Sequence, residues 1–406
     1  MRKRVLTKSI ETILFASTLG LGLTGVSNSA SANEFTDALT GGKPTVDVRV
    51  RYEGVDQDTK EDASAFTVRT RIGYLTGDYK GFNGFVEMSD TSSIGDRQDF
   101  YVPKGPDAGG DSAKAVVLDP SLTTLNQAWI GYKYGETSLK AGRMRVIMDN
   151  RFLGNVGWRQ KEQIYSGANV NTKAIPNTEL SYAYITNVNN PIGVDIEMDS
   201  HAAQAVFKGI PGGKLTGYGY FLDYETGTDS QTIGVRYAGK AKVSDAFNLI
   251  YHLEYASQDD YADSDNIGGD YTRGELGVQV GKATVLVGQE KLGGNGSHAF
   301  QTPLGTVHLF NGWADMFIGP VGGTPANGLV DNYIKASGKA FGMKLAAAYH
   351  DFSSDVANQN YGTEYDLLAA KKFNKTYTAG IKYAAYTADD YAKDTSKLWI
   401  WGEMKF

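Results

Sequence analysis

The 406-residue chain contains no cysteine. Disulfides therefore contribute nothing to its stability, and cysteine-based nucleophiles and metal sites are excluded. Histidine is scarce: His201, His252, His298, His308 and His350 are scattered, with no H-E-x-x-H spacing, and G-x-S-x-G and P-loop patterns are also missing. No catalytic residues, metal or cofactor are expected, and the chain is not expected to be an enzyme. Proline is limited to ten residues, so long stretches keep every backbone N–H available for pairing. Beyond residue 32 no segment approaches the roughly eighteen consecutive apolar residues of a membrane-spanning helix, which excludes a helical inner-membrane protein.

The first thirty-two residues stand apart from the rest. MRKRVLTK is basic, Ile13 to Val26 is an apolar centre, and Ala30-Ser31-Ala32 is a small-residue cleavage signal. Residues 1–32 are thus expected to be a cleaved signal peptide, and 33–406 the mature domain. Gly20, Gly22 and Gly25 spell G-x-G-x-x-G inside that leader, where no strand precedes them, so they are no dinucleotide fingerprint. Four basic residues against Glu11 give the leader a net +3, so removing it takes the formal charge from −6 to −9. A chain this acidic offers nucleic acid no basic face, and none is expected as a partner.

What the mature chain does have is alternation. VDVRVRYE, Val46 to Glu53, places apolar residues at even positions and charged ones at odd positions, a pattern that gives a strand two opposite faces. Similar segments of about ten residues recur, separated by Gly, Asp, Asn and Pro, as in transmembrane β-barrels. The expected strands are 45–53, 65–76, 82–89, 125–134, 137–145, 161–169, 178–187, 200–208 and 214–224, then 230–238, 245–256, 270–281, 283–291, 328–337, 341–351, 362–372, 377–387 and 397–406. That is eighteen, an even number, as a bacterial barrel with both ends in the periplasm requires. Links after even-numbered strands are short (GDYKG, YGE, GIPGGK, VGKAT, SGKAFG) and those after odd-numbered strands are long. All ten prolines fall outside the eighteen segments, and Thr302 to Phe310, TPLGTVHLF, is assigned to a loop. The expectation is an all-β, antiparallel, transmembrane barrel in the outer membrane of a Gram-negative bacterium.

The final segment, LWIWGEMKF, alternates and ends on Phe406. It resembles the terminal signal read by the barrel-assembly machinery, apart from Gly402 and Met404, where apolar and aromatic residues are more usual. Tyr132, Tyr134, Tyr182, Tyr184, Tyr251, Tyr255 and Tyr383 fall on expected outward faces near strand ends, suited to the interface between lipid tail and headgroup. Acidic runs at 56–62 and 259–265 read as solvated outer loops. Asp263-x-Asp265 before Gly268 is not a calcium loop, because Ile267 and Gly274 stand at ligand positions.

If the apolar faces meet lipid, the charged faces line the lumen. Asp47, Arg49, Arg51 and Glu53 of the first strand and Arg69 and Arg71 of the second then point inward. Arg236, Arg273, Lys335 and Lys344, with Lys133, Lys140 and Lys382, add positive charge, opposed by Glu254, Glu275, Glu87 and Glu290. His252 reads with Glu254 as a polar lining pair. Arg143 and Arg145 join the pore-lining set although AGRMR breaks the alternation. Arg151 and Arg159 belong to DNRFLGNVGWRQ, Asp149 to Gln160, which is long enough to fold inward. It either narrows the pore, with Asn150, Arg151 and Arg159 as hydrogen-bonding groups and Phe152 and Trp158 as stacking surfaces for a sugar, or it is a latch against the wall. Asn311, Trp313 and Asp315 of FNGWAD carry the same two readings.

Four stretches resemble the alginate-export-type porin family of Gram-negative outer membranes: FTDALTGGKPTVDVRVRYEGVDQD, FTVRTRIGYLTGDYKGFNGFVEM, LKAGRMRVIMDNRFLGNVGWRQKEQ and FQTPLGTVHLFNGWADMF. The resemblance runs along nearly all of the mature chain, and DNRFLGNVGWRQ and FNGWAD are its most specific parts. It implies an eighteen-stranded monomeric barrel and, in the alginate exporter, a basic constriction that passes an anionic polysaccharide. Inward arginines attract carboxylates and bind them bidentately. The expected function is therefore passive diffusion of small polar, anionic solutes, oligosaccharides included, through an arginine-lined lumen. The alternatives are a dedicated exporter of an anionic polysaccharide such as alginate and a nonselective general porin. The expected partners are solute, outer-membrane lipid and the assembly machinery.

Overall fold

A computed structural model describes residues 29–95, 97–264, 266–318 and 323–406. The expected leader, 1–32, lies outside them up to residue 28, and helix α1 (Ser29–Thr40) begins within its last residues. Then come β1 (Lys43–Gln57), β2 (Ala63–Leu75), β3 (Phe82–Ser93), β4 (Leu122–Tyr134), β5 (Thr137–Met144) and β6 (Ile164–Thr172). β7 (Thr178–Asn189), β8 (Asp195–Phe207), β9 (Gly213–Leu222), β10 (Ser230–Lys242), β11 (Phe247–Asp259) and β12 (Gly269–Val280) follow. The last six are β13 (Ala283–Leu292), β14 (Leu329–Ala340), β15 (Met343–Ser353), β16 (Asn360–Lys372), β17 (Tyr377–Ala388) and β18 (Thr395–Lys405).

Every strand pairs antiparallel with the next, and β1 pairs with β18 from Asp47↔Lys405 to Gln57↔Thr395, closing an eighteen-stranded barrel. Closure satisfies every strand's ladder and leaves no open edge, which is what permits strands to cross hydrocarbon. The outer face is apolar: Ile72, Ile130, Ile233, Leu253, Leu276 and Leu367 are each more than half exposed. On a soluble monomer such a belt would drive aggregation; on a barrel it is the lipid face. Tyr132, Tyr134, Tyr182, Tyr184, Tyr255 and Tyr383 lie exposed on that face, as expected.

All eighteen expected strands have counterparts, with shifted ends. One detail is corrected: Pro44 lies inside β1, as its second residue, opposite Tyr74. A strand's first residues tolerate a missing N–H, so the proline does not break the ladder. The links alternate as expected, from two-residue turns to long loops at 94–121, 145–163 and 293–328. Gly135 and Gly281 make the two-residue turns after β4 and β12 with φ of 55° and 54°, values that glycine adopts without strain. Thr302 to Phe310 is loop, with one 3-10 turn at Val307–Leu309.

The lumen is not empty. Loops 145–163 and 293–328 fold into it, so that Phe152 meets Tyr218 of β9 and Tyr271 of β12 with ring centroids 5.3 and 5.2 Å apart, and Phe317 meets Phe352 of β15 at 4.8 Å. Phe152, Leu153, Phe300, Leu304 and Phe317 from the loops join Tyr361, Tyr386 and Trp399 from the wall in one buried cluster. The barrel thus carries its hydrophobic core inside, beside its charges.

Candidate functional site

The β1–β2 register sets Arg49 opposite Arg69 and Asp47 opposite Arg71, so alternation brings both strands' arginines to one inward patch. Arg49, Arg51, Arg69 and Arg71 are each no more than 8% exposed. Three of them have carboxylate partners. Arg51 pairs with Glu53 at 3.1 Å and with Asp119 from loop 94–121. Arg69 pairs with Asp47 and, at 3.2 Å, with Glu403 of β18, and Arg71 lies 3.3 Å from Glu162. Arg49 has no carboxylate partner among the described residues: its Nε donates to Gln160 Oε1 at 2.8 Å, and a second N–H donates to the Arg159 carbonyl.

Loop 145–163 is tied down along its length. Arg159 donates to both Glu53 oxygens, at 2.8 and 2.9 Å, and lies 3.5 Å from Asp315 of the facing loop. Arg151 reaches Glu290 of β13 at 2.9 Å and Asn311 at 3.0 Å. Arg145 meets Glu87 of β3 at 2.9 Å and grips Glu162 with Nε–H bonds of 2.8 Å to each oxygen. The two loops also bond to each other, Gly154 N–H to Leu304 O at 2.9 Å and Thr306 N–H to Asn150 O at 2.7 Å. The segment therefore both enters the lumen and latches to the wall. Trp158 is covered by His308, ring centroids 3.5 Å apart, and by the Arg159 guanidinium at 4.1 Å, and Phe152 is buried, so neither is a free stacking platform.

Electrostatics tighten the latch. Burial alone would raise the Glu162 carboxyl, but the hydrogen bonds from Arg145 and the charge of Arg71 hold it at about 2. Burial pulls His308 down to about 3 despite Asp315, so its neutral ring donates Nδ1–H to Asp315 at 2.8 Å and accepts from the Lys382 ammonium at Nε2. Glu162 titrates below its unfolded value of about 4.3, so its stabilising effect is complete above that value and is lost as pH falls through about 2. Protonation of Glu162 should accordingly free the loop and raise single-channel conductance near pH 2, and a conductance unchanged from pH 4 to 2 would contradict the latch.

The remaining expected residues separate by face. Arg236 lies 3.3 Å from Asp149 and 3.4 Å from Glu254, and Glu254 also accepts from Tyr218 and bonds His252 at 2.8 Å. Arg273 bonds Glu275 at 2.7 Å, and Tyr333 donates to the same carboxylate. The Lys335 ammonium donates to Phe310 O at 3.3 Å, while Lys344 is exposed at the short-turn end of β15, opposite Lys339. Arg143 is a correction. It pairs with Ala128 and shares the outward face of Leu139 and Ile130, where it meets Leu125 O and, at 3.6 Å, Asp195. The alternation holds through Met144 at the end of β5; Arg145 turns inward because the strand has already ended.

Three groups were missed from sequence alone. Asp119 and Glu162 are buried partners delivered by loops, and no local signal marks them. The third is a set of inward lysines at the short-turn end: Lys214 on β9 beside outward Leu215, and Lys339 on β14, joining Lys133, Lys140 and Lys344. None of these five has an ion pair with a carboxylate among the described residues. Strand parity was the signal that could have found them. Lys140 packs over the Trp129 ring at 4.2 Å.

No family model and no curated protein matches the chain. Solved structures do. OccAB4 of Acinetobacter baumannii has a TM-score of 0.71 at 13% identity, covering 90% of this chain and 98% of that one. OccK9 (OpdG) of Pseudomonas aeruginosa has a TM-score of 0.72 at 11% identity, covering 91% and 100%. OpdK of Pseudomonas aeruginosa, solved with vanillate, has a TM-score of 0.69 at 12% identity, covering 90% and 98%. At these identities the likeness is one of fold, and that fold is the eighteen-stranded barrel of outer-membrane porins. The resemblance to the alginate-export type is supported only to this level: a porin-type barrel, similar in fold to these Occ and Opd proteins.

Proposed function

We propose that the chain is an outer-membrane channel, not an enzyme, that lets small polar solutes diffuse passively and favours anions. The observation that carries this reading is the row of inward lysines without carboxylate partners, Lys133, Lys140, Lys214, Lys339 and Lys344. A paired arginine and carboxylate largely cancel at a distance, whereas unpaired ammonium groups in a low-dielectric wall raise the local anion concentration. Arg49, paired only with neutral oxygens, adds to that field. Vanillate, named with one similar fold, is a solute of this class.

A second reading, a nonselective porin, is favoured by the near-complete pairing of the lumen arginines, which leaves them little charge to offer. Export of an anionic polysaccharide such as alginate is the weaker reading, because a polymer would have to pass two loops tied to the wall and to each other. Swelling of liposomes holding the refolded barrel separates these. Benzoate should enter faster than benzamide, which has nearly the same size and no charge. Equal rates would remove the anion preference and leave the nonselective channel.

A further inference from the structure

The amino-terminal helix has an exposed apolar edge that the channel reading does not use. On α1, Phe35, Ala38 and Leu39 fall on one side by helical spacing, and Phe35 and Leu39 are 48% and 44% exposed. The helix is fixed to the outside of the barrel foot, not across its opening. Tyr74, on the outward face of β2 with Ile72, donates its hydroxyl to Leu39 O at 2.7 Å and accepts from Gly42 N–H at 2.9 Å. Gly77 N–H bonds Ala38 O at 2.7 Å.

An aromatic path continues from this edge into the lipid belt. Phe35 meets Tyr79 edge-on at 5.4 Å, Tyr79 exchanges backbone bonds with Phe82, and half-exposed Phe82 packs on Tyr132 at 4.5 Å. The helix's charged residues after Asn33 are Glu34 and Asp37, and there is no basic residue in its last turn. An amphipathic helix with an acidic polar side is repelled by anionic headgroups and suits a zwitterionic leaflet.

We propose that α1 is an interfacial foot: it lies along the periplasmic leaflet and inserts Phe35 and Leu39 among zwitterionic lipids, extending the barrel's aromatic belt beyond its strands. This rests on the barrel spanning a bilayer. Because the chain has no cysteine, single cysteines introduced as Phe35→Cys, Asp37→Cys or Leu39→Cys can each carry a unique environment-sensitive fluorophore. In phosphatidylcholine vesicles with brominated chains, the probes at 35 and 39 should be quenched severalfold more than the probe at 37. Equal quenching at all three would overturn the proposal. Dilution to one barrel per vesicle should leave the contrast intact, and its loss would assign the edge to a second copy instead. Adding phosphatidylglycerol should not strengthen quenching; an increase would refute the charge argument. Ion flux through the same vesicles reports the barrel separately, so flux without the contrast overturns the foot alone.

Discussion

A Glu53→Ala variant should conduct severalfold more current than the parent channel. Glu53 is 1% exposed and binds Arg159 of the inward loop through both oxygens, with Arg51 at 3.1 Å. Removing it leaves Arg51 with Asp119 as its carboxylate partner and Arg159 with only the longer contacts to Asp119 and Asp315, at 4.0 and 3.5 Å, so the loop loses its shortest ion pair to β1. The β1 ladder to β2 and β18 does not involve the side chain, so the barrel stays closed while Arg159 moves toward water and draws segment 145–163 with it. Heat-modifiable migration should remain that of a folded barrel. A folded Glu53→Ala channel with unchanged conductance would show that the pair does not hold the loop.

The second large effect is on charge selectivity. Replacing Lys133, Lys140, Lys214, Lys339 and Lys344 together by Gln should lower the anion-to-cation permeability ratio severalfold, because none of the five has a carboxylate partner among the described residues. Removing Arg236 and Glu254 together deletes one charge of each sign and should leave the ratio unchanged. If the lysine variant keeps the parent ratio, the field arises elsewhere. Neutralising Arg51 or Arg71 is a poorer probe, since each pairs with a buried carboxylate of a loop, Asp119 or Glu162, and its loss disturbs the loops as well as the charge.

The barrel was legible because its rule is local. Alternation over ten residues, turn chemistry between, and an even count are all properties of neighbouring positions, and they located eighteen strands and the inward face of VDVRVRYE. The same rule, applied strictly, places Arg143 outside and Lys214 and Lys339 inside; the departures arose where it was relaxed or not applied. What the alternation could not reveal is pairing across the lumen. Arg51 meets Asp119, Arg159 meets Glu53 and Arg151 meets Asn311 over separations of 68, 106 and 160 residues. Such contacts depend on where long loops return, and no period encodes that. An arginine-lined pore therefore read plausibly from strands alone, although carboxylates of the same strands, joined by Asp119, Asp149 and Glu162 from the loops, neutralise most of it. Among the described residues, the inward charges left without a carboxylate ion pair include the lysines near the short turns, with Arg49, Lys335 and Lys382.

In the proposed function this residual positive charge makes the channel prefer anions. The most direct measurement is the reversal potential of the single channel in a planar bilayer under a KCl gradient. An anion-preferring channel gives a potential displaced toward the chloride equilibrium value, and more strongly at low ionic strength, where the lysines are least screened. A displacement toward the potassium value would contradict it.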